Sequence, residues 1–398
     1  MTSADFPPPS ARPARIILIL ALAPAIGLGI GRFAYSLVLP DMRDSLGWSY
    51  STAGFMNTVN AIGYLAGALG AASFVRRHGL FKTTWIGAIA CVVSLALCAL
   101  SANFFIFSFA RLVSGFGAAI AFVGGGALAA TIAQSRPAQS ALLLSLFYTG
   151  PGTGLIVSGL VSPFILQYFG PGSWWIVWVA LTLVSAVMAI PLLLNRFDTA
   201  ANAAPEAAPH IRLKPMLPYL AGYFLFGAGY IAYMTFMIAY VRDAGGDAVA
   251  QSAFWCLIGV GAYASPWVWR KLMARGESGM TTAILIGVTA IGTGLALFGS
   301  SPTLLAGSAF VFGNAFFAVV TATTAFSRLN YPAVAWPRVI GIMTITFGLG
   351  QTLGPFVTGA VTDVMGLSYA LNISTAALAL GAVLCALQRP LAKSPPRQ

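Results

Sequence analysis

The sequence predicts an all-α membrane protein with twelve transmembrane helices, arranged as two pseudo-symmetric bundles of six. Three observations support this prediction: the low charge content, a series of long apolar runs, and an internal repeat. Of the 398 residues, 58% are hydrophobic and 8% are charged, and the mean hydropathy is +0.85. A soluble domain carries about 25% charged residues. The composition therefore excludes a soluble enzyme, and the net charge of +12 does not indicate a nucleic-acid partner.

Each apolar run is long enough for a helix that crosses the bilayer, which takes about 20 residues. Within hydrocarbon, backbone polar groups are satisfied only in a helix or a closed barrel, and these runs lack the alternating pattern of barrel strands. The predicted spans are 16–39, 50–74, 83–101, 104–132, 139–168, 174–195, 216–241, 250–272, 281–299, 302–327, 337–362 and 367–388.

The loops between these spans fall into two sets with very different charge. The two tails, 1–15 and 389–398, and the loops on the same side hold 17 Lys and Arg residues, whereas the other side holds only Arg43 and Arg242. By the positive-inside rule, both termini are expected in the cytoplasm. An odd number of spans would mix the two sets, so the charge pattern supports the count of twelve independently of hydropathy.

An internal repeat relates the two halves of the chain at an offset of 198 residues. The segment 29–35 aligns with 227–233, and further glycines correspond, as in Gly63 with Gly261, Gly115 with Gly313 and Gly150 with Gly348. The predicted bundles are 16–195 and 216–388, joined by a polar cytoplasmic linker at 196–215. Both halves begin on the same side, so they are parallel repeats, which predicts a binding site at their interface.

Charged residues inside the spans are few and all basic. The nine acidic residues lie in tails, loops or span ends, and both histidines lie in segments predicted to be cytoplasmic. Only Arg32 and Arg111 lie well inside spans, away from the span ends, where each costs about 2.5 to 3.5 kcal/mol, so a function is expected for such residues by default. The four cysteines all lie in apolar runs, so neither a disulfide framework nor a metal site is predicted, and nothing indicates a cofactor.

Several segments resemble motifs of the major facilitator superfamily. Residues 110–117, with Arg111 followed by Gly115, are similar to the motif of its fourth span, and 150–154 to the motif of its fifth, often associated with antiporters. Residues 350–355 echo that motif in span 11. The loop after span 2 departs from the family pattern, because Arg76 stands where an Asp is expected, which puts a gating salt bridge of that Asp in doubt.

Residues 29–35 and 229–233 also resemble a bacterial branch of this superfamily called YbfB/YjiJ-like. The resemblance implies the major facilitator fold, a bacterial inner (plasma) membrane location, and a central cavity lined by spans 1, 4, 7 and 10. It identifies a branch of the superfamily and no particular substrate.

The candidate site residues are polar side chains placed inside the spans. Arg32 is the strongest candidate, with snorkelling toward the outer interface as its alternative. For Arg111, hydrogen bonding to helix carbonyls or a role in gating is at least as well supported as contact with a ligand. Interhelical hydrogen bonding is the ordinary explanation of the uncharged ones. The predicted substrate-binding residues are Arg32, Tyr35, Asn60, Arg111, Tyr230, Tyr233, Asn314 and Gln351, and the predicted gating or packing residues are Gly115, Gly150, Pro151, Gly154, Gly354 and Pro355.

These features predict a secondary active transporter that moves a small organic solute by alternating access. Two fixed positive charges without an intramembrane carboxylate favour an organic anion, coupled either to a proton that enters with it or to exchange for another anion. The main alternative is an efflux antiporter for neutral or cationic compounds. A sensor with a transporter fold is a further alternative. An intramembrane transferase is disfavoured, because its chemistry needs clustered acidic residues or histidines.

Overall fold

The computed structural model of the protein describes residues 13–136, 139–197, 213–273, 277–299 and 301–391. Most of the predicted linker and of both predicted tails therefore lies outside the described residues. The described part is helical, and the first helix begins at Pro13, slightly before the predicted start of span 1. This part of the chain contains no β-strand.

Twelve spans are present in the described residues. They are α1 (Pro13–Leu46), α2 (50–78), α3 (80–100), α4 (Phe104–Gln134), α5 (Ser140–Phe169), α6 (Trp174–Leu194), α7 (Leu217–Asp243), α8 (Ala248–Val268), α9 (Met280–Leu295), α10 (Pro302–Asn330), α11 (Trp336–Met365) and α12 (Leu367–Ala386). The helices α2 and α3 form one continuous run, 50–100, in which Gly79 turns the chain with φ +78°. Only glycine adopts this conformation without strain, so this single residue connects α2 to α3 without a loop of several residues.

The outer surface of the described helices is strongly apolar, as a bilayer requires. Large side chains such as Leu183, Val187 and Phe105 are more than half exposed along the spans. Ten helical segments are long and apolar enough to cross a membrane, the run 50–100 among them, and α9 is shorter at 16 residues. Counting that run as α2 and α3 and adding α9 gives the twelve spans of a multi-pass membrane protein.

Helix α1 changes its winding in the middle. An α-helix at Pro13–Pro24 passes into a π-helix at Ala25–Phe33, and an α-helix resumes at Tyr35–Leu46. The π-helical stretch contains three glycines, and such wider turns are frequent at functional sites. Arg32 lies at its end.

The internal repeat is reproduced in the packing of the helices. A Cβ added at Gly63 would collide with the carbonyl oxygen of Leu112, and one at Gly261 would collide with that of Phe310. Gly115 meets the carbonyl of Asn60 in the same way, and Gly313 meets that of Ile258. Both members of each pair are separated by 198 residues, so α2 and α4 cross as α8 and α10 do.

The structure corrects the offset for one later helix pair. Gly150 and Gly154 of α5 approach the carbonyls of Ala21 and Ala25 in α1, while Gly350 and Gly354 of α11 approach those of Phe224 and Ala228 in α7. These glycines are 200 residues apart and their carbonyl partners are 203 apart, so this crossing does not keep the offset of 198, and Gly348 packs against Leu65 instead.

The two halves meet along two helix pairs. Gly54 of α2 lies against the carbonyl of Pro355 in α11, and Gly152 of α5 lies against that of Gly259 in α8. The same glycine contacts that join the repeats thus bring the spans close enough to enclose a site between them.

The two ends of the molecule differ in charge. We call one the acidic end, because it carries Asp41, Asp44, Asp243, Asp247 and Asp363. We call the other the basic end, because it carries Arg76, Arg77, Arg270, Lys271 and Arg328.

Candidate functional site

A cavity lies between the two halves, near the middle of the spans. It contains about 430 Å³ of space free of protein atoms, part of it open to solvent. Its lining is mostly aromatic, with two strongly polar groups: Leu28, Arg32, Phe33, Tyr64, Phe122, Phe226, Tyr230, Phe316, Phe317, Val320, Phe347 and Gln351.

The lining follows the internal repeat. Arg32 of α1 and Tyr230 of α7 are separated by 198 residues and both line the cavity. The same offset relates two further lining pairs, Leu28 with Phe226 and Phe122 with Val320. The cavity therefore lies at the axis that relates the two halves, where parallel-repeat folds place their sites.

Arg32 is the only charged residue in this lining. Its side chain is buried, at 2% exposure, and its Nε and Nη2 atoms have no hydrogen-bond partner. The guanidinium carbon lies 4.6 Å from the ring centre of Tyr64 and 5.8 Å from that of Phe33. These ring faces offset part of the cost of burial, but a buried donor without an acceptor still costs free energy. The described structure therefore leaves two donor atoms of Arg32 unpaired.

Arg111 has a different environment, although it also lies inside a span. Its guanidinium donates to the carbonyl oxygens of Gly31 at 2.6 Å and Arg32 at 3.0 Å, and to Oδ1 of Asn57 at 2.9 Å. It also lies over the ring of Tyr35. Arg111 does not belong to the cavity lining. It holds the end of the π-helical stretch, and so fixes the backbone that carries Arg32.

One wall of the cavity is a group of nearly parallel rings from the second half. The ring of Phe347 lies 5.6 Å from that of Tyr230 with an interplanar angle of 5°, and 5.7 Å from that of Phe226 with an angle of 16°. Phe316 extends the group, 5.8 Å from Tyr230. These stacked rings make this side of the cavity aromatic and apolar.

Gln351 provides the second polar group. Its Nε2 atom donates to the hydroxyl oxygen of Tyr230. Its Oε1 atom is buried and has no hydrogen-bond partner. The cavity therefore contains unpartnered donors at Arg32 and an unpartnered acceptor at Gln351.

The other predicted substrate-binding residues are used in packing between helices. Tyr35 donates to the carbonyl of Ala53, and Asn60 donates to that of Arg111. The hydroxyl of Tyr233 bonds with that of Ser308, and Asn314 donates to the carbonyl of Gly261. None of these four belongs to the lining residues. The predicted glycines Gly115, Gly150, Gly154 and Gly354 all lie at close helix crossings, and Pro355 contacts Gly54.

The sequence prediction missed most of the aromatic lining. Tyr64 lies seven residues after Asn57, on the polar face of α2, and this spacing is a signal for it. Phe122 and Val320 are related by the offset of 198 residues, so once one of them is placed at the cavity, the repeat identifies the other. Phe316, Phe317 and Phe347 carry no such signal, because a chain with 27 phenylalanines places most of them against lipid or other helices.

The described acidic residues all lie away from the cavity. Asp41, Asp44, Asp243, Asp247 and Asp363 lie at the acidic end, and Glu277 lies in an exposed turn. In the described ranges, no three His, Cys, Asp or Glu side chains come together as a metal site. Within this part of the chain, the charge of the cavity is therefore that of Arg32.

Twelve apolar helices in two repeated bundles, with a cavity at their shared axis, define a transporter of the major facilitator type. The profile described as "Uncharacterised MFS-type transporter YbfB" matches residues 24–386, so the chain belongs to that family. This confirms the predicted family and fold. The members of the family and the structural neighbours are transporters and not enzymes.

Other known proteins are more distantly similar. The Escherichia coli (strain K12) protein named "Putative transporter AraJ" is 26% identical over 259 residues, which are 62% of this chain and 62% of that protein. The solved structure of a mutant of the nucleoside transporter NupG covers 94% of this chain and 99% of its own, with a TM-score of 0.72 and 15% identity. A bacterial homologue of the human lysosomal transporter Spinster, inward-facing and unoccupied, covers 95% and 98%, with a TM-score of 0.70 and 14% identity. At these identities the two structures show a shared fold.

Proposed function

We propose that this transporter moves a small organic anion across the bacterial inner membrane, as a secondary active transporter that works by alternating access. The observation that carries the proposal is the buried guanidinium of Arg32, whose Nε and Nη2 have no partner in the cavity. A carboxylate can accept two parallel hydrogen bonds from a guanidinium, and such a charged pair is stronger than neutral hydrogen bonds. The anion would replace the water that Arg32 gives up on burial.

The sign of the substrate's charge distinguishes the proposed function from its main alternative, the efflux of neutral or cationic compounds. The aromatic lining by itself would suit neutral or cationic drugs, which are substrates of efflux antiporters. A cation in this cavity would lie beside Arg32, where little water screens the repulsion between like charges. A cation would avoid this repulsion only if helix carbonyls sequestered both arginines, and they sequester Arg111 alone. The geometry thus favours an anion.

Contacts between the halves support a conformation that is closed toward the acidic end. Between the cavity and that end, Asn57 donates to Thr235 at 2.8 Å, and Thr58 donates to the carbonyl of Thr352 at 2.7 Å. By the positive-inside rule, we place the acidic end outside and both termini in the cytoplasm. The conformation described here would then be the inward-facing or occluded state of the cycle.

The energy for transport is proposed to come from a gradient. The sequence has no nucleotide-binding loop of the type Gly-x4-Gly-Lys-Ser/Thr. No acidic residue of the described spans faces the cavity, and an arginine stays protonated at all relevant pH values. Coupling would therefore run through a proton that enters with the anion, or through exchange for a second anion.

Matched ligands of one shape and three charges test the proposal. Purified protein is titrated with benzoate, benzamide and benzylamine while its melting temperature is followed, because a ligand that binds the folded state raises it. We expect benzoate to stabilise the wild type most, Arg32→Gln to abolish this effect, and Arg32→Lys to retain only part of it, because a point charge cannot form the bidentate contact.

The matched control for these variants is Arg76→Gln, which removes an exposed arginine at the basic end. Its response to benzoate should equal that of the wild type. A preference for benzylamine that persists in Arg32→Gln would refute the anion proposal and support efflux of cations instead.

A further inference from the structure

We infer that the transported anion is a planar aromatic acid with a hydroxyl or other hydrogen-bond donor on its ring, and that Gln351 recognises this donor. The inference rests on the proposed function, because it assumes that Arg32 binds the acid group. It adds a second point of recognition, with opposite polarity, in the same cavity.

The first step is the pair of unpartnered polar groups. More than nine in ten buried polar groups in proteins have a hydrogen-bond partner, so each exception calls for an explanation. In this cavity the exceptions are donors at Arg32 and an acceptor, Oε1 of Gln351. A ligand that satisfies both must offer an acceptor to Arg32 and a donor to Gln351.

The second step is the orientation of the Gln351 amide. Its nitrogen donates to the hydroxyl of Tyr230, and Tyr230 is itself held by the stacked rings of Phe226 and Phe347. The amide oxygen is therefore the atom left for a ligand. A second carboxylate on the ligand would bring acceptor against acceptor at this point, so the site disfavours dicarboxylates.

The third step is the shape of the apolar space between the two polar groups. The rings of Phe226, Tyr230 and Phe347 lie within 17° of one another, with centroids 5.1 to 5.7 Å apart, so they form one offset stack beside the cavity. A flat ring can extend such a stack face to face, whereas a branched or flexible chain contacts less of it and loses more conformational freedom. The shape thus favours a planar aromatic body.

Binding of para-substituted benzoates tests the inference. We expect the wild type to bind 4-hydroxybenzoate about tenfold or more tightly than 4-methoxybenzoate, because the methoxy group leaves the Gln351 oxygen unsatisfied. Terephthalate should bind more weakly than benzoate. In Gln351→Met, which keeps a side chain of similar length without the amide, the hydroxy and methoxy compounds should bind equally.

The outcomes separate this inference from the proposed function. If cyclohexanecarboxylate and hexanoate bind as tightly as the aromatic acids, and do so through Arg32, the anion proposal stands and the inference is wrong. A preference for 4-formylbenzoate over 4-hydroxybenzoate would also overturn it, because the amide would then act as a donor. If no acid on the panel binds, both the inference and the anion proposal fail. The variant Arg76→Gln serves again as the control.

Discussion

At the scale of single residues, the two intramembrane arginines have opposite roles. The sequence places both inside spans but cannot tell them apart, because the difference depends on backbone carbonyls that only the folded chain brings together. Gly31 and Arg32 at the end of the π-helical stretch direct their carbonyls at Arg111. The prediction of Arg32, Tyr230 and Gln351 as site residues agrees with the cavity lining, whereas Tyr35 and Tyr233 find partners within their own half.

This contrast predicts effects of different size on stability. Arg111→Gln should destabilise the protein by about 3 kcal/mol, because it breaks several buried hydrogen bonds made by a charged group. Arg32→Gln should cost no more than about 1 kcal/mol, the worth of its ring contacts, because it also removes a buried charge without a partner. Thermal unfolding of the two purified variants in detergent measures the difference. Equal losses for both variants would contradict the assignment of roles.

At the scale of helices, hydropathy locates the spans well but misplaces some ends. Helix α1 continues to Leu46, beyond the predicted end at 39, because Asp41, Arg43 and Asp44 lower the hydropathy without breaking the helix. Its actual stop is Gly47, with φ +64°. Helix α9 ends at Leu295, before the predicted 299, because the apolar residues that follow it form a turn.

Close helix crossings depend on particular glycines, which gives a prediction for α5. Gly154→Ala should lower the melting temperature and impair transport, because the added Cβ would meet the carbonyl of Ala25 and the Cα of Gly29 in α1. Gly307→Ala in α10 is the matched control, since a Cβ there has nothing within 4 Å. It should leave stability unchanged or raise it by up to about 1 kcal/mol, as alanine favours helix. If both variants lose stability equally, the crossing is not tightly constrained.

At the scale of the whole molecule, the acidic end holds the two halves together. Asp363 of α11 accepts hydrogen bonds from the backbone nitrogens of Tyr50 at 2.7 Å and Ser51 at 2.9 Å, at the start of α2. Asp44 of α1 pairs with Arg242 of α7 at 2.8 Å. A carboxylate at a helix N-terminus is favourable both as a hydrogen-bond acceptor and through the helix dipole. Sequence could not predict these contacts, because they join residues separated by about 200 to 300 positions.

Loss of the Asp363 charge should therefore loosen the acidic end. In a protein with a reporter cysteine, Thr58→Cys, between this end and the cavity, we expect Asp363→Asn to raise the labelling rate several-fold for an impermeant maleimide added from the acidic side. The control is Asp247→Asn, which removes an acid at the same end that caps only its own helix α8. An unchanged rate, or an equal rise with Asp247→Asn, would show that Asp363 does not close this end.

The unpaired guanidinium of Arg32 also has a kinetic consequence. In the exchange of one anion for another, with no proton bound beside the anion, the loaded protein would reorient as a neutral pair, whereas the empty protein would reorient with an uncompensated charge. Membrane potential acts on a moving charge with about 2.3 kcal/mol per 100 mV for a full crossing, so voltage would influence mainly the empty return step. We therefore expect unlabelled anion preloaded on the trans side of proteoliposomes to accelerate entry of the labelled anion, and an imposed potential to alter net uptake far more than this counterflow. Counterflow no faster than net uptake would mean that the empty protein returns without hindrance from its charge.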